Sequence, residues 1–501
     1  MRWANFLHIY QPFGQQPDIL AAVVEQSYRP LIKNLLSHEN AKITLNINGS
    51  LLDLFDQYGY HDLIEGLAEA GRLGRVEFTG SAKYHALLPF LPKDEVMRQI
   101  ESNNETNRKY LGESYNPKGI FLPEMAYDPK LAPWLEEAGF EWMIIDEIAF
   151  DGQVDAIDYN KRYKVKGTNL GVYFRERRVS NLIMSAVVRH AEQLKVAIAE
   201  DLASSRYVVT GMDGETFGHH RPGLENLLFE VFEQPDLELV RISDLADFYP
   251  EVVECEPVAS TWASSPQDIA SGIQFISWDD PHNDIHKLQW KLRDFTLAAF
   301  RKMDKKHADF PALRGKLDSA LASDQFFWAC ARPWWSIEMI EEGAYYLLDI
   351  LQHLPAIDPY DFETGQAYYH QIVAMAFSWK RDGKIYEIQQ ANNNAMRIPF
   401  KERTLEAGGA EPAVYQAFID MMTNQEQEAS KRRDYEAAVM WRDAVYKIEN
   451  KTDMYEAVHA VDLLRTTLPN DEVEATIARY KDEYRRIRGG QPEQRGIADP
   501  S

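Results

Sequence analysis

Two carboxylates, Glu124 and Asp213, each follow a short apolar run that reads as a β-strand. Gly119-Ile120-Phe121-Leu122-Pro123 leads into Glu124, and Tyr207-Val208-Val209-Thr210 leads through Gly211-Met212 into Asp213. A barrel of parallel strands gathers its strand ends on one face, and such folds place their chemistry there. Two carboxylates delivered to that face from different strands can divide the breaking of a glycosidic bond. One attacks the anomeric carbon and the other protonates the leaving oxygen. The attacking group has to stay ionised, whereas the acid needs a pKa raised towards the working pH. Pro123 fixes its own φ and limits backbone drift beside Glu124. Gly211 and Gly214 are read as permitting a sharp turn that carries Asp213 towards a substrate. Glu215 shares the same short loop and competes with Asp213 for the acid role.

These carboxylates need elements to position them. From the start to about residue 250, strand-like runs alternate with longer amphipathic segments, the pattern of βα units on a parallel sheet. The strand candidates are Trp3–Ile9, Lys42–Asn46, Arg75–Thr79, Gly119–Leu122, Trp142–Ile145, a run near Leu182–Ser185, and Tyr207–Thr210, with Leu237–Ile242 as an accessory. Helical segments between them include Ile19–Leu36, Leu51–Ala70 and Lys93–Leu111, the last with acids in its first turn as a helix dipole prefers. Tyr159–Arg178 alternates in character and is read as a hairpin inserted into a βα connection. Periodicity lapses around Glu251–Asp268, a domain boundary. Beyond it the chain reads as helical: Asp284–Lys306, Leu313–Ala331, Ser336–His353 and Tyr368–Lys380, then a hairpin of Asn424–Arg433 and Tyr435–Asn450. The expected divisions are 1–255, 256–355, 356–488 and a disordered tail at 489–501.

Composition narrows the partners. With 501 residues, 45% of them hydrophobic, the chain can fill two or three cores. A net charge of −24 repels nucleic acid and anionic membrane surfaces, so neither is expected as a partner. Eleven Trp are enough for stacking platforms under sugar rings as well as for a core. Cys255 and Cys330 are too few for a disulfide framework or a cysteine-based zinc site. No signal peptide or span of about 20 apolar residues is present, and a cytoplasmic location is expected.

Five stretches in order resemble the motifs of glycoside hydrolase family 57, retaining enzymes acting mainly on α-glucans. They are His8-Ile9-Tyr10-Gln11-Pro12, Gly80 through Pro89, Gly119–Glu124, Met212–Gly218, and Ser323-Asp324-Gln325-Phe326-Phe327-Trp328. The resemblance implies that Glu124 is the nucleophile and Asp213 the general acid/base, and that no cofactor is needed. The expected fold is α/β: a distorted (β/α)7 barrel followed by an α-helical bundle domain and a helical C-terminal extension. The expected substrate is an α-glucan or maltooligosaccharide. His8 and His85 are expected to bind hydroxyls of the sugar being cleaved, although each also fits a buried histidine satisfied by a carbonyl. Tyr10 stands where the family usually has a second histidine. Gln11, Asn46, Glu215 and Asp324 are further candidates for hydroxyl contacts, and Trp328 and Trp278 for aromatic subsites. Trp278 shares the irregular connection after the barrel with Trp262, where loops often line clefts. The hairpin at 424–450 resembles the UVR helical hairpin and is a candidate surface for a protein partner or homo-oligomer.

Two other readings remain. Related barrels of metal-dependent polysaccharide deacetylases and mannosidases hold zinc through a first-strand His-x-Asp, but here the corresponding position is Tyr10, a poor zinc ligand. His219 and His220 follow Asp213, but adjacent histidines point apart, so no metal is expected. The third reading is a non-catalytic glucan-binding protein.

Overall fold

The computed structural model describes residues 1–186, 188–332, 334–394, 412–450 and 454–487; the tail expected at 489–501 lies outside the described residues. Among the described residues ten strands form: β1 (Arg2–Ile9), β2 (Ile43–Ile47), β3 (Val76–Phe78), β4 (Gly119–Phe121), β5 (Trp142–Asp146), β6 (Arg162–Val165), β7 (Gly171–Arg175), β8 (Tyr207–Asp213), β9 (Glu238–Val240) and β10 (Val252–Cys255). Seven of them close a ring in the order β1-β2-β3-β4-β5-β7-β8 and back to β1. Parallel ladders join β1 to β2, β2 to β3, β4 to β5, β5 to β7, and β8 to β1. Two seams are thinner. A bridge between Gly80 and Ile120 joins β3 to β4, and a bond from Glu176 N to Val209 O at 2.8 Å links the end of β7 to β8. This is the distorted (β/α)7 barrel.

One strand is not where the sequence pattern put it. The run near Leu182–Ser185 was expected to be the sixth barrel strand, but Arg177–Met184 is a helix. The barrel strand is instead β7, the second arm of the hairpin read as an insertion; β6 pairs antiparallel with it through Tyr163↔Val172 and Lys164↔Gly171. Short apolar runs carry too little periodicity to separate a strand from one helix face. In the same way β9 pairs with Arg2–Ala4 of β1 as an accessory strand.

A single hydrophobic core runs from barrel residues such as Phe6, Phe121, Ile144 and Val209 into the helices Asp284–Phe300, Ile337–His353 and Pro359–Arg381. Accordingly the described residues of Met1–Met184, His190–His220 and Leu224–Asn392 form one compact unit, and those of Ser185–Arg189, Arg221–Gly223 and from Asn393 onward form a second. The segment read as one helix over Leu313–Ala331 is interrupted. Phe310–Ala320 ends, the chain makes a bridge from Ala322 to Ala86, and a short helix restarts at Asp324–Phe327. In the second unit Pro412–Lys431 and Tyr435–Asn450 form the expected hairpin, with Trp441, Ala444 and Ile448 in its core. Among the described residues no helix is long and apolar enough to cross a membrane.

Candidate active site

Glu124 sits one turn beyond β4, in the short turn Pro123–Met125. Its φ is 61° and that of Met125 is 47°, so two consecutive non-glycine residues occupy the left-handed region. Each costs on the order of 1–2 kcal/mol, and such outliers persist only where their surroundings over-determine them. The surroundings here are the loop after β10. Trp262 N donates to Glu124 O at 3.2 Å, Trp262 Nε1 donates to Glu124 Oε2 at 2.8 Å, and Tyr127 and Ser260 exchange two backbone bonds beside it. A bond to an ionised carboxylate contributes about 1.5–3 kcal/mol.

Asp213 is held differently. It is the last residue of β8, and the β1–β8 ladder pairs it with His8. Among the described residues its side chain makes no hydrogen bond. Nearby glycines serve close packing rather than the turn expected of them. Gly211 lies within β8, where a Cβ would come 3.1 Å from Met125 Cε and 3.3 Å from Arg175 Cγ; at Gly214 it would come 2.4 Å from Ile9 Cγ2.

Beside Glu124 lies a stack of rings. His8 and His85 have centroids 5.1 Å apart, Tyr10 lies 4.3 Å from His85, and Phe121 lies 4.5 Å below His8. His85 Nδ1 stands 4.0 Å from Glu124 Oε1. Asn46, which pairs with His8 in the β1–β2 ladder, accepts from His8 Nδ1 at 2.8 Å and donates to Thr79 Oγ1 at 3.2 Å. Ser323 Oγ donates to His85 O at 2.7 Å and therefore accepts at 3.1 Å from His85 Nδ1. Both imidazoles thus keep the proton on Nδ1 and present Nε2 as an acceptor; His85 Nε2 is buried with no partner among the described residues. Tyr10 OH donates to Asp324 Oδ2 at 2.8 Å, so the restarted helix reaches over the barrel.

Burial sets the charges. It lowers His8 to about 4 against the Asn46 hydrogen bond, and it drives His85 well below its ordinary value, with His8 adding to the effect. Burial pushes Glu124 up to about 8; the charge of Asp213 adds to this, the Trp262 bond opposes it, and Asp324 adds a smaller increment. Burial raises Asp213 to about 6, and the Arg175 guanidinium pulls it back. Asp324 is raised to about 6 by burial against its bond from Tyr10. At neutral pH the Glu124–Asp213 couple therefore holds one proton between its two carboxyls. Neutral imidazoles and a carboxylate make this a site for hydroxyl donors.

The remaining sequence candidates fall elsewhere. Glu215 is 4% exposed; it takes bonds from Tyr28 OH and, at 3.1 Å, from Tyr10 N, and Gln11 lies 3.5 Å from it. Burial raises Glu215 to about 8; its bond from Tyr10 N ties it to the backbone there, and Gln11 sits beside it with Tyr28 OH and Gln15 as partners. Asn46 is fully buried and orients His8. Trp278 was expected to offer an aromatic subsite, but it is 1% exposed and packs on Phe327, with Leu87, Ala126 and Phe326 around it, so it is core. Trp328 is half-buried and meets Trp334 edge-on at 5.6 Å. Of the two loop tryptophans, Trp262 is the one at the carboxylate. Asp146, Arg175 and Arg177 went unnoticed in the sequence, although Asp146 extends an apolar run as Glu124 does. Among the described residues no three His, Cys, Asp or Glu gather to hold a metal ion.

A family model described as "Glycosyl hydrolase family 57" matches residues 3–257, just over half the chain. The chain is 25% identical over 280 residues to an alpha-amylase of Pyrococcus horikoshii, covering 52% of this chain and 43% of that protein. It is 26% identical over 284 residues to a 4-alpha-glucanotransferase of Thermococcus litoralis, covering 53% and 42%. It therefore spans less than half the length of these relatives. Among solved structures, a GH57-type branching enzyme from Pyrococcus horikoshii aligns with a TM-score of 0.58 at 17% identity, over 75% of this chain and 96% of that one, a likeness of fold.

Proposed function

Because this chain belongs to glycosyl hydrolase family 57, we propose that it cleaves or transfers α-glucosidic linkages of α-glucans with retention of anomeric configuration. One observation carries the reading: Glu124 and Asp213 stand at the ends of β4 and β8, with hydroxyl acceptors on His8, His85 and Asp324 beside them. The relatives' names, alpha-amylase and 4-alpha-glucanotransferase, point to the same substrate class.

The reaction runs in two displacements. The Glu124 carboxylate bonds to the anomeric carbon as the glycosidic C–O bond breaks, and the leaving oxygen takes the proton of Asp213. Water or an acceptor hydroxyl then attacks the same carbon, gives its proton to Asp213 and releases Glu124. The glycosidic oxygen arriving beside Asp213 accepts a hydrogen bond from its carboxyl, which favours the form with the shared proton on Asp213 and Glu124 ionised.

The test is incubation with maltooligosaccharides of wild type and Glu124→Ala, following both reducing ends and longer products. Wild type turns over, which separates hydrolysis from transfer, and the variant does not. Azide restores reaction in the variant and yields a β-glucosyl azide. Equal activity in the two proteins overturns the assignment.

A further inference from the structure

The clamp on Glu124 is itself held from below. Asp146 ends β5 with its side chain fully buried. Its Oδ2 accepts from Arg175 Nη1 at 2.9 Å, and its Oδ1 accepts from Arg177 Nε at 2.5 Å and from Ile148 N at 3.0 Å. Arg177 also donates through Nη2 to Trp262 O at 3.0 Å and to Ser264 O at 2.9 Å. Trp262 in turn gives both its backbone N–H and its indole N–H to Glu124. Thr261 N and Ser264 Oγ, 2.8 Å apart, close the loop on itself. The other arginine turns the opposite way: Arg175 Nε donates to Gly211 O at 2.6 Å, two residues before Asp213.

We propose that Asp146 and Arg177 are positioning residues that hold the Trp262 loop so that its indole N–H stays on the Glu124 carboxylate, with Arg175 tying the same buried acid to the strand that bears Asp213. The proposal rests on the retaining reaction assigned above. Neither arginine touches the reacting atoms. The Tyr127–Ser260 bridge sets the loop beside Glu124, and beyond that bridge Arg177 grips the carbonyls of Trp262 and Ser264, which fixes the stretch that carries the indole. A planar guanidinium suits this task because one face of its fork takes a carboxylate while the other takes backbone oxygens.

The test uses the full chain and a maltooligosaccharide substrate. Arg177→Gln, at a side chain 17% exposed, removes one charge while Arg175 still pairs with Asp146, and Trp262→Phe removes the indole donor and keeps an aromatic ring. Each is expected to lower kcat/KM about tenfold, the effect of one bond to a charged group. The two together lose no more than either alone, because Arg177 acts through Trp262. Arg177→Lys recovers part of the loss. The pH profile adds a readout that simple damage to the fold would not move. Losing the bond raises Glu124 further, so the alkaline limb of kcat/KM shifts upward while the plateau falls. Additive losses in the double variant, or a lowered plateau with both limbs unmoved, overturn the proposal. If wild type turns over no glucan at any pH, the reaction assignment fails on its own. The relay is then judged by the pH midpoint of the fluorescence difference between wild type and Trp262→Phe: Arg177→Gln shifts it upward if the proposal holds, and an unmoved midpoint overturns it.

Discussion

The ends of β4 and β8 deliver carboxylates to the same place by opposite means. After β4 the chain leaves the ladder, enters two left-handed residues and is pinned by Trp262 at both backbone and side chain. At the end of β8 Asp213 stays in register with His8, and its carboxyl has no hydrogen-bond partner among the described residues. The difference matches the two jobs proposed for them. A nucleophile gains from being fixed where the anomeric carbon arrives. A group that must give a proton to one oxygen and take one from another needs freedom to turn.

Removing each carboxylate in turn tests that contrast most severely. Glu124→Gln should lower kcat by roughly 10⁴-fold or more, as loss of a nucleophile does elsewhere. Asp213→Asn should cost roughly 10²–10⁴-fold on natural linkages, and much less on aryl glycosides whose leaving groups need no proton. Equal losses on both substrate types would erase the distinction between the two ends. Tyr10→Phe keeps the stack on His85 but loses the bond to Asp324, and should raise KM about tenfold with kcat little changed. The pH profile of kcat/KM should be a bell with limbs near 6 and 8. Below about 6 both acids are protonated and no nucleophile remains; above about 8 both are ionised and no proton is available. The smallest effect is on stability. Glu124 has a folded-state pKa of about 8 against 4.5 for the free side chain, so the folded protein holds the extra proton and loses stability as pH rises through that window. Glu124→Gln lacks this penalty, so its thermal midpoint should exceed that of wild type at pH 8 and match it near pH 4.

What the sequence revealed follows from which interactions are local. Strand-end carboxylates can be read because a strand and the residue after it are contiguous, and the helix Lys93–Leu111 can be read from its own periodicity and its acidic first turn. β7 could not be read, because its membership of the barrel depends on pairing with β5 rather than on any signal within Gly171–Arg175. The choice between Trp262 and Trp278 had the same difficulty. Both lie in one irregular stretch, and only long-range packing, a bond to Glu124 in one case and contact with Phe327 in the other, tells them apart. Asp146 was one residue past the end of the strand as read, and its burial between two arginines is a tertiary fact.

The bridge from Ala322 to Ala86, reinforced by the two side-chain bonds between Ser323 and His85, fastens the residues around Asp324 to a barrel loop. The span matched by the family model stops at 257, before Trp262 and far before Asp324. A fragment trimmed to that span would keep every barrel strand and both acids, yet one acid would lose its indole partner and the sugar pocket would lack a wall. The piece to excise and test as a catalyst is thus the continuous stretch Met1–Asn392, which carries the first compact unit with its helices, and not the barrel that gives the family its signature.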